Sequence, residues 1–151
     1  MKKLVVLFLC AILLTGCSTQ TDTEMIKLES ELNTFCDNVL KIDTAINQIT
    51  NITADEAGLK EATQDLMFQL DTLKDEFTKF ANIDFPQEYD YLEKYADEAA
   101  DYMAEAVKSY HTVYEENYTE SMEKYAQENY SRAYKRVQII LDVIQGEDPN
   151  Q

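Results

Sequence analysis

Histidine is the residue type best suited to metal binding or proton transfer near neutral pH, and this chain has one, His111. A di-iron helical bundle needs two inward-facing Glu-x-x-His units, but Lys108 stands three residues before His111. The chain has 29 acidic residues, yet the spacing of its apolar residues places no pair of acids inside a core. The sequence therefore predicts no metal centre, and we interpret His111 as a structural residue.

Phosphate-binding loops and haem-attachment motifs are also missing from the sequence. The glycines Gly16, Gly58 and Gly146 are too far apart to build a glycine-rich loop, and no Cys-x-x-Cys-His run occurs. Catalysis by serine, histidine and aspartate would need a pocket that a narrow helical domain does not readily supply. We expect no cofactor and no enzymatic activity.

The chain opens with two lysines and an apolar run that ends just before a cysteine. Residues 2 and 3 are lysines, residues 4–14 are all apolar, and Thr15, Gly16 and Cys17 follow. This three-part layout is typical of a secretory signal. As a helix the apolar run spans only about 16 Å, whereas a bilayer core is about 30 Å thick. We interpret residues 1–16 as a cleaved signal peptide and not as a membrane span.

The motif Leu14-Thr15-Gly16-Cys17 resembles the lipobox of bacterial lipoproteins, and the resemblance covers residues 1–17 only. It implies cleavage before Cys17, a diacylglycerol on the Cys17 thiol, and attachment to the extracytoplasmic face of a membrane. Ser18 after the cysteine implies the outer membrane if the host is Gram-negative. The abundance of Asn, Lys, Ile and Tyr favours a Gram-positive host. The alternative is a plain secreted protein in which Cys17 merely follows Gly16.

The mature chain, residues 17–151, is strongly acidic and keeps one ordinary thiol. The signal removes two lysines and no acid, which leaves 29 acidic against 11 basic residues and a net charge of −18. Such a surface repels nucleic acid, so we expect no nucleic-acid partner. Cys36 has no second thiol to pair with, and because it borders an apolar stripe we expect it to be buried and inert.

Apolar residues recur with alternating gaps of three and four, which indicates helices throughout. A capping box at Thr53-Ala54-Asp55-Glu56 opens the second helix, Pro86 suits the first turn of the third, and Gly146 is a C-cap for the fourth. The predicted core positions are Met25, Leu28, Leu32, Phe35, Val39, Ile42, Ile46, Ile49, Leu59, Leu66, Leu70, Leu73, Phe77, Phe80, Tyr89, Leu92, Ala96, Ala99, Met103, Ala106, Tyr110, Val113, Met122, Ala126, Tyr130, Ala133, Val137, Ile140 and Ile144.

Four segments of nearly equal length, about 25–50, 54–82, 86–116 and 119–145, predict an all-α, up-down four-helix bundle with heptad-like packing. The predicted domain spans residues 24–146, after a lipidated cysteine and tether at 17–23 and before a disordered tail at 147–151. The third break has no proline or glycine, so one long bent helix is the alternative to a turn at residues 115–121. The phase slip of the apolar stripe there and a possible cap at Asn117-Tyr118-Thr119-Glu120 favour the turn.

All ten tyrosines lie between Tyr89 and Tyr134. Packing is one explanation, because small core residues let helices approach while flanking rings cover the contact. A recognition face is the other, because tyrosine is enriched in contact surfaces. The candidate residues of that face are Tyr91, Tyr95, Tyr102, Tyr114 and Tyr118.

Together these patterns favour a membrane-anchored cell-surface lipoprotein that acts as a non-enzymatic interaction module for a protein or envelope partner. The alternative is an extracytoplasmic capture protein for a small cationic ligand or metal ion. Its candidate contacts are the neighbouring acids Asp97, Glu98, Asp101 and Glu105. The sequence leaves the identity of the partner and the oligomeric state open.

Overall fold

Helices make up the part of the chain that the computed structural model describes, residues 19–50 and 56–146. The α-helices are α1 (Thr19–Thr50), α2 (Glu56–Phe80), α3 (Glu93–His111) and α4 (Glu120–Ile144). A 3-10 helix (Gln87–Leu92) precedes α3, and a π-helical turn (Thr112–Glu116) follows it. No strand occurs within these two ranges, so the all-α prediction is confirmed.

Several sequence predictions fall outside the described residues. These are the signal peptide at 1–16, the lipidation site Cys17, the capping residues 53–55 and the tail at 147–151. α1 begins at Thr19, so its first turn occupies most of the segment that was predicted to be a tether. Within the described ranges, no helix is both long enough and apolar enough to cross a bilayer.

The predicted apolar stripes form the core. Nearly every predicted core position is buried, as Leu28, Leu73 and Val137 illustrate with no exposed surface. Each such aliphatic side chain contributes about 1.5–3 kcal/mol when it is removed from water. Leu59 departs furthest from the prediction, because 45% of its surface is exposed near the start of α2, and four other positions are only partly buried: Met25, Ile49, Tyr89 and Met122. The three-and-four spacing therefore identified the buried face of all four helices.

Aromatic and polar contacts between α1 and α2 show that the two helices run in opposite directions. Lys27 lies 3.2 Å from Asp84, just after α2. Further along α1, the Phe35 ring stacks on Phe80 with 4.3 Å between ring centroids. Residues that come later in α1 thus contact residues that come earlier in α2.

Alanines line the contact between α3 and α4. Ala96, Ala99 and Ala106 of α3 and Ala126 and Ala133 of α4 all belong to the core, and none of the five has any exposed surface. Because each alanine side chain is a single methyl group, the two helix backbones approach closely along this line.

The break between α3 and α4 is a turn. The α-helical geometry ends at His111, earlier than predicted, and the π-helical turn continues the chain to Glu116. Asn117 is extended, with φ −151° and ψ 112°. Thr119 caps α4, because its hydroxyl accepts a hydrogen bond from the Met122 amide at 3.2 Å. These residues exclude a single bent helix.

The third helical segment starts differently from the prediction. Pro86 precedes a 3-10 helix, and α-helical geometry begins only at Glu93. No side chain caps this start, and the Tyr89 amide donates to the Pro86 carbonyl at 2.7 Å, an i to i+3 bond. Tighter 3-10 bonds satisfy free amides where a capping side chain is missing. At the other end of the domain Gly146 adopts φ +74°, as a C-cap glycine does.

Candidate functional site

Two tyrosines of α3 and two arginines of α4 form an alternating stack across the α3–α4 contact, which we call the tyrosine–arginine ladder. Its members are Tyr95, Tyr102, Arg132 and Arg136. The Arg136 guanidinium lies 5.8 Å from the centroid of each tyrosine ring, and that of Arg132 lies 5.7 Å from Tyr102. These are the only arginines in the chain. In so acidic a protein, they create a local basic and aromatic surface.

The local folding of two helices explains how the ladder forms. Tyr95 and Tyr102 are seven residues apart, and Arg132 and Arg136 are four apart, so each pair lies on one helix face. Both pairs flank the alanine-lined contact described above. The rings therefore lie at the edge of that contact, and the guanidinium groups of the two arginines lie over them.

The two arginines have different partners. The Arg136 Nε donates to the Glu98 carboxylate, and both side chains are partly exposed. Arg132 is exposed and has no ion pair among the described residues. A guanidinium carries five donors in a planar fork that matches carboxylate and phosphate oxygens. Arg132 is thus the member of the ladder best placed to bind an anionic group on a partner.

The five predicted recognition tyrosines fall into separate groups. Tyr95 and Tyr102 belong to the ladder, and Tyr91, which is 52% exposed, lies on the preceding 3-10 helix. Tyr114 stacks on the buried Tyr110 ring at 6.2 Å. Tyr118 is exposed and donates to Glu123 at 2.9 Å. Among the described contacts, arginine connects Tyr95 to Tyr102. No described contact connects these two tyrosines to Tyr114 or Tyr118.

A buried polar cluster joins α1 to α4, and periodicity alone did not predict it. Asp43 is 4% exposed and accepts hydrogen bonds from Tyr130 and Tyr134 at 2.8 and 2.9 Å. Burial raises the pKa of Asp43, although the two tyrosine hydrogen bonds act in the opposite direction. The pKa values of both tyrosines are also raised, mainly by burial. The available signal was the position of Asp43 directly after the core residue Ile42.

A third buried phenol, that of Tyr110, lies near this cluster. The Tyr110 hydroxyl is buried and has no hydrogen-bond partner in the part of the chain that the structure describes. Burial raises the pKa of Tyr110 well above its usual value. The hydrogen bonds from Tyr130 and Tyr134 to Asp43 thus link α4 to α1 across the core.

His111 contacts two carboxylates, and one of them connects the end of α3 to α2. Its Nδ1 lies 2.6 Å from Glu115, and its Nε2 lies 3.2 Å from Asp71. Burial alone would lower the pKa of His111, but hydrogen bonds and charges from Glu115 and Asp71 outweigh it and raise the pKa. With both ring nitrogens engaged, neither is free to bind a metal.

The acids that could capture a cation on α3 are not gathered into one site. Glu98 is engaged by Arg136, and Glu105 lies 3.9 Å from Lys108. Asp97 and Asp101 are exposed. Among the residues with described positions, no group of three or more His, Cys, Asp or Glu side chains is placed to hold a metal ion.

Cys36, the thiol expected to be buried and inert, is partly buried and packs against the core. Burial raises the pKa of its thiol to about 11, so very little reactive thiolate forms near neutral pH.

No family model, curated protein or solved structure matches this chain.

Proposed function

We propose that this chain is the precursor of a bacterial lipoprotein whose mature domain is a non-enzymatic interaction module at the cell surface. The observation that carries the proposal is the motif Leu14-Thr15-Gly16-Cys17, placed directly after the apolar run at residues 4–14. After cleavage, lipid on Cys17 would hold the domain at the extracytoplasmic face of the membrane. Two acyl chains provide stable attachment, because each buried CH₂ contributes about 0.8 kcal/mol.

The start of α1 supports a domain held close to the membrane. α1 begins at Thr19, two residues after the proposed anchor, so its first turn lies next to the lipid. We propose the finer architecture to be an up-down four-helix bundle with heptad-like packing. The opposite direction of α1 and α2 supports it, as does the reversed order of the α3–α4 contacts, in which Tyr95 meets Arg136 and the later Tyr102 meets Arg132. In this arrangement the turn at residues 117–119 points away from the membrane.

The tyrosine–arginine ladder is the contact surface that we propose for a protein or envelope partner. Tyrosine and arginine are enriched among the residues that carry binding energy at interfaces. Among the described residues Arg132 has no ion pair, its guanidinium lies beside the Tyr102 ring, and the chain as a whole is strongly acidic. A carboxylate or phosphate group of a partner would therefore be attracted mainly to Arg132.

The anchor is tested by following the full chain in a bacterial host. Wild type and Cys36→Ser, the matched control, should stay in the membrane fraction and be digested by protease added to intact cells whose wall has been removed. Cys17→Ser removes the lipidated sulfur and should leave the protein unattached or unprocessed. Equal membrane retention of wild type and of a Cys17→Ser chain from which residues 1–16 have been removed would exclude lipid anchoring at this residue.

The contact surface is tested by cross-linking the anchored protein to its neighbours in its native cell. Arg132→Gln should lower the yield of a specific cross-linked neighbour, whereas Lys135→Gln, another exposed cation of α4, should not. Tyr95→Ala with Tyr102→Ala should also lower that yield. If the tyrosine variants reduce only the unfolding free energy and leave the yield unchanged, the ladder is a packing device and the proposed contact surface is wrong.

A further inference from the structure

A groove of about 330 Å³ lies between α1 and α2, on a different pair of helices from the tyrosine–arginine ladder. Its floor is aromatic, because the Phe35 and Phe80 rings stack with 4.3 Å between their centroids. Polar side chains, among them Glu31, Asn38 and Glu76, stand along its walls. An apolar floor with a few polar groups is the usual composition of a small-molecule site, and the volume is at the lower end of that class.

The position of Lys79 shows that an ammonium group fits the polar side of the groove. The Lys79 ammonium donates to one oxygen of Glu76, and Asn38 donates to the other at 3.0 Å. Burial alone would raise the pKa of Glu76, but these two hydrogen bonds outweigh it and lower the pKa. Glu76 therefore stays ionised at neutral pH. The Lys79 side chain is 72% exposed, so it can leave this position without disturbing the core.

Glu31 adds an incompletely paired carboxylate to the same groove. Its Oε1 lies 3.8 Å from the Lys27 ammonium. Its Oε2 is buried and has no hydrogen-bond partner among the described residues. A buried acceptor without a donor is unfavourable, and an N–H group entering the groove would remove that cost.

We propose that this groove binds a small organic ammonium ion with an aromatic or alkyl body. The apolar body lies on the Phe35 and Phe80 rings, and the ammonium group bonds to Glu31 and replaces Lys79 at Glu76. Charge decides between ligand classes: the two carboxylates outnumber the one lysine that lines the groove, and the whole mature chain is acidic. An anionic ligand would meet repulsion from both carboxylates. The proposed cation site is therefore the groove between α1 and α2, and not the acidic residues of α3.

Three probes that share a phenyl ring and differ in charge test the ligand class. The full chain is placed in nanodiscs of zwitterionic lipid, and empty nanodiscs correct for partition of the probes into lipid. Calorimetric titration then measures the affinity for phenethylammonium, 2-phenylethanol and 3-phenylpropionate. We expect phenethylammonium to bind about tenfold tighter than the alcohol, as a hydrogen-bonded charge pair implies, and the carboxylate not to bind.

Variants of residues in the groove separate this site from general attraction to an acidic protein. Glu31→Gln should weaken phenethylammonium binding about tenfold, whereas Glu61→Gln, an exposed acid of α2 outside the groove, should leave it unchanged. Lys79→Met removes the competing ammonium and should tighten binding. Thr34→Trp fills the groove from an exposed wall position and should abolish binding.

Several outcomes would overturn the proposal. Equal affinity for the three probes would show a non-specific apolar surface, and equal weakening by Glu31→Gln and Glu61→Gln would show general electrostatics. Weaker phenethylammonium binding in Lys79→Met would show that the ammonium does not replace Lys79 at Glu76, and binding of 3-phenylpropionate would assign the groove to an anion instead. A dimer in wild type that Thr34→Trp dissociates would identify a second copy of the chain as the occupant. Thr34→Trp is interpreted only if its circular dichroism matches wild type, and the other two variants test the site without it.

Discussion

The Tyr134 hydroxyl donates a hydrogen bond to the Asp43 carboxylate at 2.9 Å, and both side chains are buried. The two residues are 91 positions apart in sequence, so this bond joins the first α-helix to the last. Tyr130, one turn earlier in α4, donates to the same carboxylate at 2.8 Å. A buried acid with two phenol donors fixes how α4 is rotated against α1, because any other rotation would leave the acid unpaired.

Tyr134→Phe removes one of these donors and leaves Asp43 buried. We expect the free energy of unfolding to fall by about 1–3 kcal/mol, the usual cost of an unsatisfied buried polar group. Denaturant titration at neutral pH measures it. Tyr125→Phe is the matched control, because Tyr125 is 44% exposed and should change stability by less than about 0.5 kcal/mol. Equal effects of the two substitutions would show that the buried bond contributes nothing.

Asp43 should make stability fall as the pH rises. Its pKa is raised in the folded protein, mainly by burial, so the folded state binds the proton more tightly than the unfolded state. The unfolding free energy then decreases from about pH 4 up to the raised folded value. Asp43→Asn cannot titrate and should lose this decrease. The unfolding free energy of the variant minus that of wild type should therefore rise with pH. A constant value of this difference would contradict the raised pKa.

His111 should have a pH dependence with its own window. The charges and hydrogen bonds from Glu115 and Asp71 outweigh burial and raise its pKa. This stabilisation is complete below about pH 6.5, the unfolded value, and is lost as pH rises through the folded value. His111→Gln should therefore cost more stability at acidic than at alkaline pH, by less than about 1 kcal/mol because the ring is partly exposed. A cost that is independent of pH would show that the two contacts do not favour the charged ring.

The alanine contact between α3 and α4 should reject larger side chains. Ala99 has no exposed surface, so Ala99→Leu forces the helices apart and should lower the unfolding free energy by about 1–3 kcal/mol. Ala104→Leu, on the exposed face of α3, should change it by less than about 0.5 kcal/mol. Thermal or chemical unfolding compares the two variants. Similar tolerance at both positions would mean that the helices are not tightly packed at Ala99.

The buried face of each helix was predictable because burial in a helix repeats every three or four residues along the sequence. Met103 and Val137 lie inside for that reason alone. The helix ends were harder. Pro86 marked the start of a helical segment but not its 3-10 geometry, which depends on the missing cap. The turn before α4 was predicted from a phase slip and a possible cap at residues 117–120, and the structure assigns the cap to Thr119.

The candidate sites were only half predictable. Tyr95 and Tyr102 could be chosen because their spacing places them beside the alanine contact. The arginines that contact them lie on another helix. The apolar spacing within one helix does not predict which residues of a neighbouring helix its side chains contact. The burial of Asp43 has the same origin, because it depends on tyrosines that lie 87 and 91 residues away. Contacts between helices are set by rotation and depth, and apolar spacing constrains these only loosely.

Mass spectrometry of the protein purified from its native membrane tests lipid anchoring most directly. We predict an N-terminal peptide that begins at Cys17 and carries a diacylglycerol on the sulfur, with residues 1–16 removed. An unmodified Cys17 thiol, or a chain that retains its first 16 residues in the membrane, would contradict the proposed surface lipoprotein.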